Sequence, residues 1–229
     1  MLKYLTTILV LLLLSLPTPA HAQNHTALYT VTFESTWSQQ THPHPGGATQ
    51  FPANAHFSPL IGATHNLSAT FWLSGTLASP GIERMAETGG TATLRAEFAA
   101  AGANVNAILA GAGIASPGAI TLPAFTVQHT YPLVTLVTMI APSPDWFVGV
   151  HGLSLLDAQG EWQDSVVVTL YPYDAGSDDG ADYGSADIEP AVHSPITNLS
   201  GQMLFSDEPI GTFTFTRLYQ VHLPLTANG

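Results

Sequence analysis

Apolar and polar residues alternate along residues 27–35, and this segment is rich in β-branched and aromatic side chains. Such alternation is typical of a strand with one buried face. By the same criteria we predict further strands in the segments 67–77, 119–129, 133–140, 146–155, 165–170 and 211–221. Clusters of proline, glycine and aspartate separate them, and a series of short strands joined by turns indicates a mainly β protein, an antiparallel β-sandwich.

A different pattern lies between the second and third predicted strands. After a Pro-Gly pair, the apolar residues Ile82 and Met85 recur at helical spacing. An alanine-rich segment, 91–110, follows, although Gly102 weakens its helical propensity. The pattern predicts one or two helical insertions around residues 81–112.

The start of the chain has the layout of a secretory signal peptide. One basic residue precedes an apolar run at residues 8–14, and the tripeptide Ala20-His21-Ala22 supplies an Ala-x-Ala cleavage site. The apolar run is shorter than the roughly 20 residues that span a bilayer. We therefore predict a signal peptide at residues 1–22, cleavage before Gln23, and a single domain at 23–229 without a membrane-spanning segment.

The charge balance of the chain is strongly acidic. Four Lys and Arg residues stand against 16 Asp and Glu residues, which gives a formal net charge of −12. Loss of the predicted signal peptide leaves Arg84, Arg95 and Arg217 as the permanently basic side chains. Such a chain repels nucleic acid, and we exclude nucleic-acid binding on this ground. The sequence contains no cysteine, which excludes thiol catalysis and disulfide bonds.

Carboxylates stand in two turns that follow predicted strands. Asp145 lies between Pro144 and Trp146, while Asp174 and Asp178 flank a glycine-containing turn. Loops at one end of a sandwich converge, so these aspartates can share a Ca²⁺ ion, which takes about six to eight oxygen ligands. The alternative for each aspartate is to cap its own turn by accepting backbone hydrogen bonds. Spacing alone leaves both interpretations open.

Five segments form a collinear set of motifs: Tyr29 to Ser38, Phe57 to His65, Ser79 to Gly89, Pro142 to Val150 and Asp174 to Gly180. Together they resemble the spondin domain, the module found in F-spondin and mindin. The resemblance extends from residue 27 to about residue 220, and the last two segments are its most specific part.

This resemblance implies a β-sandwich of C2-like topology with helical insertions. It also implies a calcium ion held by loop aspartates, so we predict Ca²⁺ as the cofactor and Asp145, Asp174 and Asp178 as its ligands. Animal members carry disulfides and adjoining modules, whereas this chain lacks cysteine and has a single-module layout. We therefore predict a secreted bacterial member, to which the adhesion roles of animal members do not transfer unchanged.

Other polar residues are interpreted as structural. His42 and His44 stand in a Gly-rich loop that is predicted to be solvated, with weak binding of a transition metal as the alternative. His65 is predicted to be hydrogen-bonded inside the fold. Glu83 and Glu87 are assigned to a solvated face of the first helix.

These observations favour a monomeric, non-enzymatic, secreted calcium-binding module for adhesion or recognition. Its predicted partner is an extracellular protein or a polysaccharide. One alternative is a metal-assisted hydrolase that uses the same carboxylates, which would need a base beside an open coordination position. Ser143 lies beside Asp145 but lacks the Gly-x-Ser-x-Gly context of a nucleophile. A third hypothesis is calcium-dependent docking to membranes, which rests on analogy between sandwich folds.

Overall fold

The computed structural model describes residues 25–43 and 51–219 of the 229-residue chain. The predicted signal peptide and His44 lie outside these residues. In chain order the strands are β1 (Thr26–Ser35), β2 (His56–Phe57), β3 (Ile61–His65), β4 (Val105–Ala110), β5 (Ile114–Ala115), β6 (Gly118–Thr121), β7 (Phe125–Gln128), β8 (Leu133–Ala141), β9 (Trp146–Ser154), β10 (Ser165–Leu170), β11 (Tyr173–Asp174), β12 (Thr197–Asn198) and β13 (Gly211–Leu218). Two α-helices, α1 (Pro80–Thr88) and α2 (Ala92–Ala100), and a 3₁₀ turn at Gly102–Asn104 stand between β3 and β4.

The described strands form two antiparallel sheets. In the smaller sheet β1 is central, with β13 and then β10 on one edge, and β6 and β7 in succession along the other. In the larger sheet the order β12-β11-β9-β8 is continuous. The free edge of β8 then pairs with β2 near its end and with β3 near its start, and these pair onward with β5 and β4. The prediction of a β-sandwich is confirmed.

The main core lies between the two sheets. The inward residues of β1 and β13 alternate with outward ones, as the sequence pattern predicts, and pack in edge-to-face pairs such as Phe33 with Phe213 at 5.2 Å between ring centroids. Trp146 is fully buried and packs against Phe205 at 5.1 Å. Because Trp146 begins β9 directly after Asp145, this packing sets where the acidic turn leaves the sheet.

All nine residues of β8 are buried, because both faces of this strand are covered. One face meets the smaller sheet, and the other lies under α1 and α2 in a second apolar cluster. The two polar residues on this strand have partners: Thr135 Oγ1 bonds His65 Nε2 at 2.9 Å, and Thr138 Oγ1 donates to the Ser58 carbonyl at 2.7 Å. His65 is therefore hydrogen-bonded inside the fold, as predicted.

Helix α1 begins and ends at residues that suit helix termini. Ser79 Oγ accepts a hydrogen bond from the Ile82 amide at 3.2 Å, and a proline occupies the first turn. Gly89 ends the helix in the left-handed conformation, with φ of 68°. Glu97 of α2 accepts from Ser79 Oγ at 2.7 Å. These bonds fix α1 against α2 and so fix the position of Glu87 in its last turn.

The predicted strand at 67–77 is wrong, and the strand of this region is β3, immediately before it. Asn66 Oδ1 accepts from the Ser68 amide at 2.9 Å, and this local turn ends the extended chain. The adjacent residues Phe71 and Trp72 then both pack onto the second cluster, against rings of α2 and β9 at 4.5 and 5.1 Å. A strand would send two consecutive side chains to opposite faces.

The predicted helical insertions are confirmed as α1 and α2, but only part of the alanine-rich segment 91–110 is helical. Helix α2 ends at Ala100, Gly102 adopts a positive φ of 54°, and the chain continues as β4, which pairs with β3. The predicted strand at 119–129 is divided into β6 and β7 by the segment that contains Pro123. The predictions for β8, β9 and β10 are confirmed. Among the described residues, no helix has the length and hydropathy needed to cross a bilayer.

Candidate metal centre

The β8–β9 connection positions Asp145. Ser143 Oγ donates to the Ile140 carbonyl at 2.5 Å and accepts from the Trp146 amide at 3.2 Å, which closes a tight turn. Asp145 directly precedes the first residue of β9 and is 0% exposed. Ser143 therefore serves to close the turn that carries Asp145.

The second acidic turn starts at Asp174, which pairs in register with Trp146. The Ala175 amide donates to the Asp145 carbonyl at 3.1 Å, so the two turns are joined through their backbones. Gly176 adopts a positive φ of 74°, and its amide donates to Asp174 Oδ1 at 2.8 Å. This bend directs the next two residues toward the Asp145 side chain.

The two carboxylate oxygens of Asp145 have different surroundings. Oδ2 accepts from the Ser177 amide at 2.8 Å and from the Asp178 amide at 3.1 Å. Oδ1 is buried and has no hydrogen-bond partner among the described residues, whereas buried polar atoms are normally paired. Burial, and next the carboxylate of Asp174, raise the pKa of Asp145 to about 7, although the two amides oppose this shift.

Asp174 and Asp178 belong to the same cluster. Asp178 Oδ1 accepts from the amides of Gly180 and Ile188 at 2.8 and 3.1 Å. Burial raises the pKa of Asp174, and the negative charges of Asp178 and Asp179 raise it further. The structure thus brings the three predicted aspartates together from two turns. Each also accepts backbone hydrogen bonds, as the turn-capping alternative requires.

The donor set suits a hard cation in its chemistry. Its members are carboxylates, and the charged groups that act on Asp145 are the acidic residues Asp174 and Asp178. Within the described part of the chain, Oδ1 of Asp145 has no hydrogen-bond partner. Within residues 25–43 and 51–219, however, no three His, Cys, Asp or Glu side chains stand in an arrangement suited to hold a metal ion. The aspartates are therefore neighbours without forming a closed coordination cage.

Comparison with known proteins identifies the family of this fold. The Spondin_N family model matches residues 27–214. The chain belongs to the Spondin_N family. The resemblance seen in the sequence motifs is thereby confirmed.

Several curated proteins share this Spondin_N domain. Spondin-2 of Homo sapiens is 33% identical over 195 residues, which cover 84% of this chain and 57% of that protein. Spondin-2 of Rattus norvegicus is 32% identical over 209 residues, with 85% and 62% covered. Spondin-1 of Rattus norvegicus is 33% identical over 201 residues, but they cover 82% of this chain and 24% of that protein. The chain thus spans less than two thirds of the length of these relatives.

Glu87 of the Spondin_N domain joins the acidic cluster, which the sequence analysis did not predict. Its carboxylate shares a hydrogen bond with the Ser177 side chain, and burial raises its pKa, with the charges of Glu83, Asp187 and Asp178 adding to the shift. Glu87 is half-buried and does not lie on a solvated helix face. The sequence feature that could have indicated this is the position of Glu87 in the last turn of α1, next to the buried face of that helix.

His42 of the Spondin_N domain is buried, with 1% exposure, so the prediction of a solvated loop is wrong for this residue. Its Nδ1 bonds Thr41 Oγ1 at 3.0 Å, and its Nε2 bonds the Glu208 carbonyl at 3.1 Å. Burial lowers the pKa of His42, which favours the neutral ring. Both ring nitrogens are occupied, so His42 ties its loop to the residues before β13.

In calcium-free solution, we expect the Spondin_N domain to lose stability as the pH rises from about 4 to about 7. An unfolded aspartate titrates at about 3.9, whereas the pKa of Asp145 in the fold is about 7. The folded state therefore binds this proton more tightly, and the free energy of unfolding falls as the pH rises through the window. Urea unfolding across this range, with chelator present, measures the slope. An equal slope in Asp145→Asn would contradict the assignment.

Proposed function

We propose that the chain is a secreted extracellular recognition module in which a calcium ion is held by Asp145, Asp174 and Asp178. The observation that carries the proposal is the fully buried Asp145 carboxylate, which lies beside two other aspartates and has one oxygen without a hydrogen-bond partner among the described residues. A buried charge without a counter-ion is costly, and adjacent carboxylates repel one another. A bound cation offsets both effects. Membership in the Spondin_N family supports the extracellular recognition part of the proposal.

The ion would act on the structure of the two turns. Asp145 stands between β8 and β9, whereas Asp174 and Asp178 belong to the segment that begins at the end of β11. One ion shared by these side chains adds a link between turns that the backbone bond from Ala175 to Asp145 already joins. The expected consequence is a stiffer loop surface at this end of the sandwich, where a partner would bind.

A recess lies at the C-terminal end of α1. It has a volume of about 610 Å³, and its walls include Thr88, Gly89, Met139 and Ala141. Thr88 directly follows Glu87 of the acidic cluster, and Ala141 ends the strand that leads to Asp145. The acidic turns and the recess together form the proposed recognition surface, for which the partner is an extracellular protein or a polysaccharide.

The proposal is non-enzymatic. Ser143, the hydroxyl nearest in sequence to Asp145, is engaged with the Ile140 carbonyl and the Trp146 amide. Those bonds commit its oxygen to the turn. A hydrolase would need a free nucleophile or a base next to an open coordination position, and no contact of the described side chains favours such a role.

Titration of the chelated protein with calcium tests the proposed site. We expect the wild type to bind one calcium ion and Asp174→Ala to lose the binding heat, because the carboxylate next to Asp145 is removed. Asp182→Ala is the matched control, since Asp182 lies in the same acidic segment but uses its Oδ1 to accept from the Gly184 amide. Equal heats in the wild type and in Asp174→Ala would overturn the site.

A separate assay tests recognition. The immobilised chain is exposed to a panel of polysaccharides and extracellular proteins in calcium and in chelator. We expect retention of at least one class of partner in calcium and its release in chelator. Retention that is unchanged by both chelator and Asp174→Ala would contradict a role for the acidic turns in recognition.

A further inference from the structure

Two small recesses adjoin at the aromatic pair Trp72 and His151. Both side chains line both recesses, and their rings pack edge-to-face with 4.9 Å between centroids. Each recess has a volume of about 230 Å³, which is below the roughly 300–1,000 Å³ of a pocket for a drug-sized ligand. Each recess therefore suits one small unit, and the two together suit a chain of linked units.

The two recesses differ in the elements that form their other walls. The first, the loop recess, lies between the irregular segment after β3 and the strands β8 and β9, and its walls include Leu67 and Phe71. The second, the edge recess, lies where β10 of the smaller sheet approaches β9 of the larger sheet, and its walls include Tyr171 and Tyr173. Because Leu67, His151 and Tyr171 are exposed, both recesses are open to solvent.

The fold holds Trp72 firmly between these recesses. Phe147 and Tyr173 are partners in the β9–β11 ladder, and both pack on Trp72 with 5.1 Å between ring centroids. Trp72 is 3% exposed, and its Nε1 is buried without a hydrogen-bond partner among the described residues. A buried N–H group is normally paired, so this donor is available to an acceptor that a ligand brings. His151 is exposed and packs on Trp72, so rotation of its side chain would open a path to this donor.

The walls of the two recesses carry no formal charge. Among the described residues that line them there is no Asp, Glu, Lys or Arg. Burial lowers the pKa of His151 and of His65 in the loop recess, which favours the neutral form of both rings. The chain as a whole has a net charge of −12 and repels anions, while a cation would find no carboxylate in these walls. The recesses therefore suit an uncharged ligand.

We propose that the two recesses are adjacent subsites for an uncharged polysaccharide, each of which holds one pyranose unit. The C–H face of a sugar ring stacks on an aromatic side chain, and Tyr171 and Phe71 supply such rings in the edge recess and the loop recess. Sugar hydroxyls accept from Trp72 Nε1 and bond the imidazole of His151 and the hydroxyl of Thr169. The proposal names a partner class for the recognition role proposed above, on which it rests, but the subsites take no ligand from the calcium site.

Titration of the chain with neutral oligosaccharides tests the proposal, with the indole N–H signals of isotope-labelled protein as the readout. The probes are oligomers of glucose, mannose, galactose and xylose, and oligouronates and choline are the charged comparators. We expect at least one neutral series to bind, the disaccharide more tightly than the monosaccharide, and to shift the Trp72 signal, which Trp72→Phe identifies by its loss. Binding of the charged comparators alone, no binding of a neutral series, or binding that leaves the Trp72 signal unmoved would each overturn the proposal.

Two tyrosine variants separate the recesses from the rest of the surface. Tyr171→Ala removes a ring from the edge recess, and we expect it to weaken sugar binding about fivefold or more. Tyr219→Ala is the matched control, because Tyr219 is also exposed but lines neither recess, and it should bind as the wild type does. Thermal unfolding establishes that both variants are folded. Equal affinities of the two variants would contradict the assignment.

The same sugar titration in calcium and in chelator distinguishes this proposal from that of the calcium site. We expect equal sugar affinity in both solutions, because the walls of the recesses include none of the three aspartates. Sugar binding that persists in chelator supports the recesses even where calcium titration fails to detect an ion. Loss of sugar binding in chelator would assign it to the acidic turns and overturn the proposal.

Discussion

Replacing Asp145 by asparagine should abolish the stabilisation of the protein by calcium without destabilising the calcium-free protein. In the wild type, calcium at about 100 times its dissociation constant should contribute about 2.7 kcal/mol, which corresponds to a rise in Tm of about 5–10 °C for a chain of this size. The variant loses one ligand and should show no rise. In chelator it should be at least as stable as the wild type, because a buried charge next to Asp174 is removed.

Asp157→Asn provides the matched control for this experiment. Asp157 is an exposed turn aspartate whose Oδ1 accepts from the Gln159 and Glu161 amides at 2.9 and 2.8 Å, so the substitution removes the same charge from a similar turn. It should keep the full calcium-dependent rise in Tm. Thermal unfolding of the three proteins in calcium and in chelator gives the comparison. A rise in Asp145→Asn equal to that of the wild type would contradict the role of Asp145.

The candidate site could be located from the sequence, but its electrostatics could not. Asp145 directly precedes β9 and Asp174 ends β11, and the start of one antiparallel strand lies beside the end of its neighbour. The unpaired oxygen of Asp145 depends on which amides reach its other oxygen. Those amides belong to Ser177 and Asp178, which approach only because Gly176 reverses the chain. Nothing in the local spacing specifies that approach.

Glu87 is a second residue whose surroundings could not be predicted from the sequence. The helical pattern correctly identified Ile82 and Met85 as apolar positions of α1, which are buried, but it assigned Glu87 to a solvated face of this helix. Which side of α1 meets the acidic turn, however, is decided by the packing of α1 on α2 and β8. Glu87 consequently looked like a solvated residue in the sequence, whereas the fold places it against Ser177.

The errors in the strand predictions have a common physical cause. Strand β3 has all five residues buried, because one edge pairs with β8, the other pairs with β4, and both faces are covered. It therefore lacks the alternation that reveals β1 and β13. The nearby residues Phe71 and Trp72 have a strong β-propensity, but they lie in an irregular segment and pack on the second apolar cluster. The β-propensity of these residues does not decide their conformation, because their packing against the core does.

Alanine at Gly176 should be among the most damaging single substitutions in the described part of the chain. The residue has a φ of 74°, and a Cβ built on it would lie 2.1 Å from the Ser194 carbonyl oxygen. The Ser194 amide also donates to the Gly176 carbonyl at 2.8 Å, so the two backbones cannot separate without losing that bond. We expect a loss of more than about 4 kcal/mol in the free energy of unfolding, measured in urea.

Gly160→Ala isolates the steric part of that loss. Gly160 has a comparable φ of 81°, but no atom lies within 4 Å of the position that its Cβ would take, so only the left-handed backbone is strained and the cost should be about 1–2 kcal/mol. Equal losses at the two positions would show that the contact with Ser194 relaxes freely. Because the Gly176 amide also holds Asp174 Oδ1, the folded fraction of Gly176→Ala should bind calcium more weakly, whereas Gly160→Ala should bind it as the wild type does. The turn that reverses the chain after Asp174 thus supports both the fold and the proposed site.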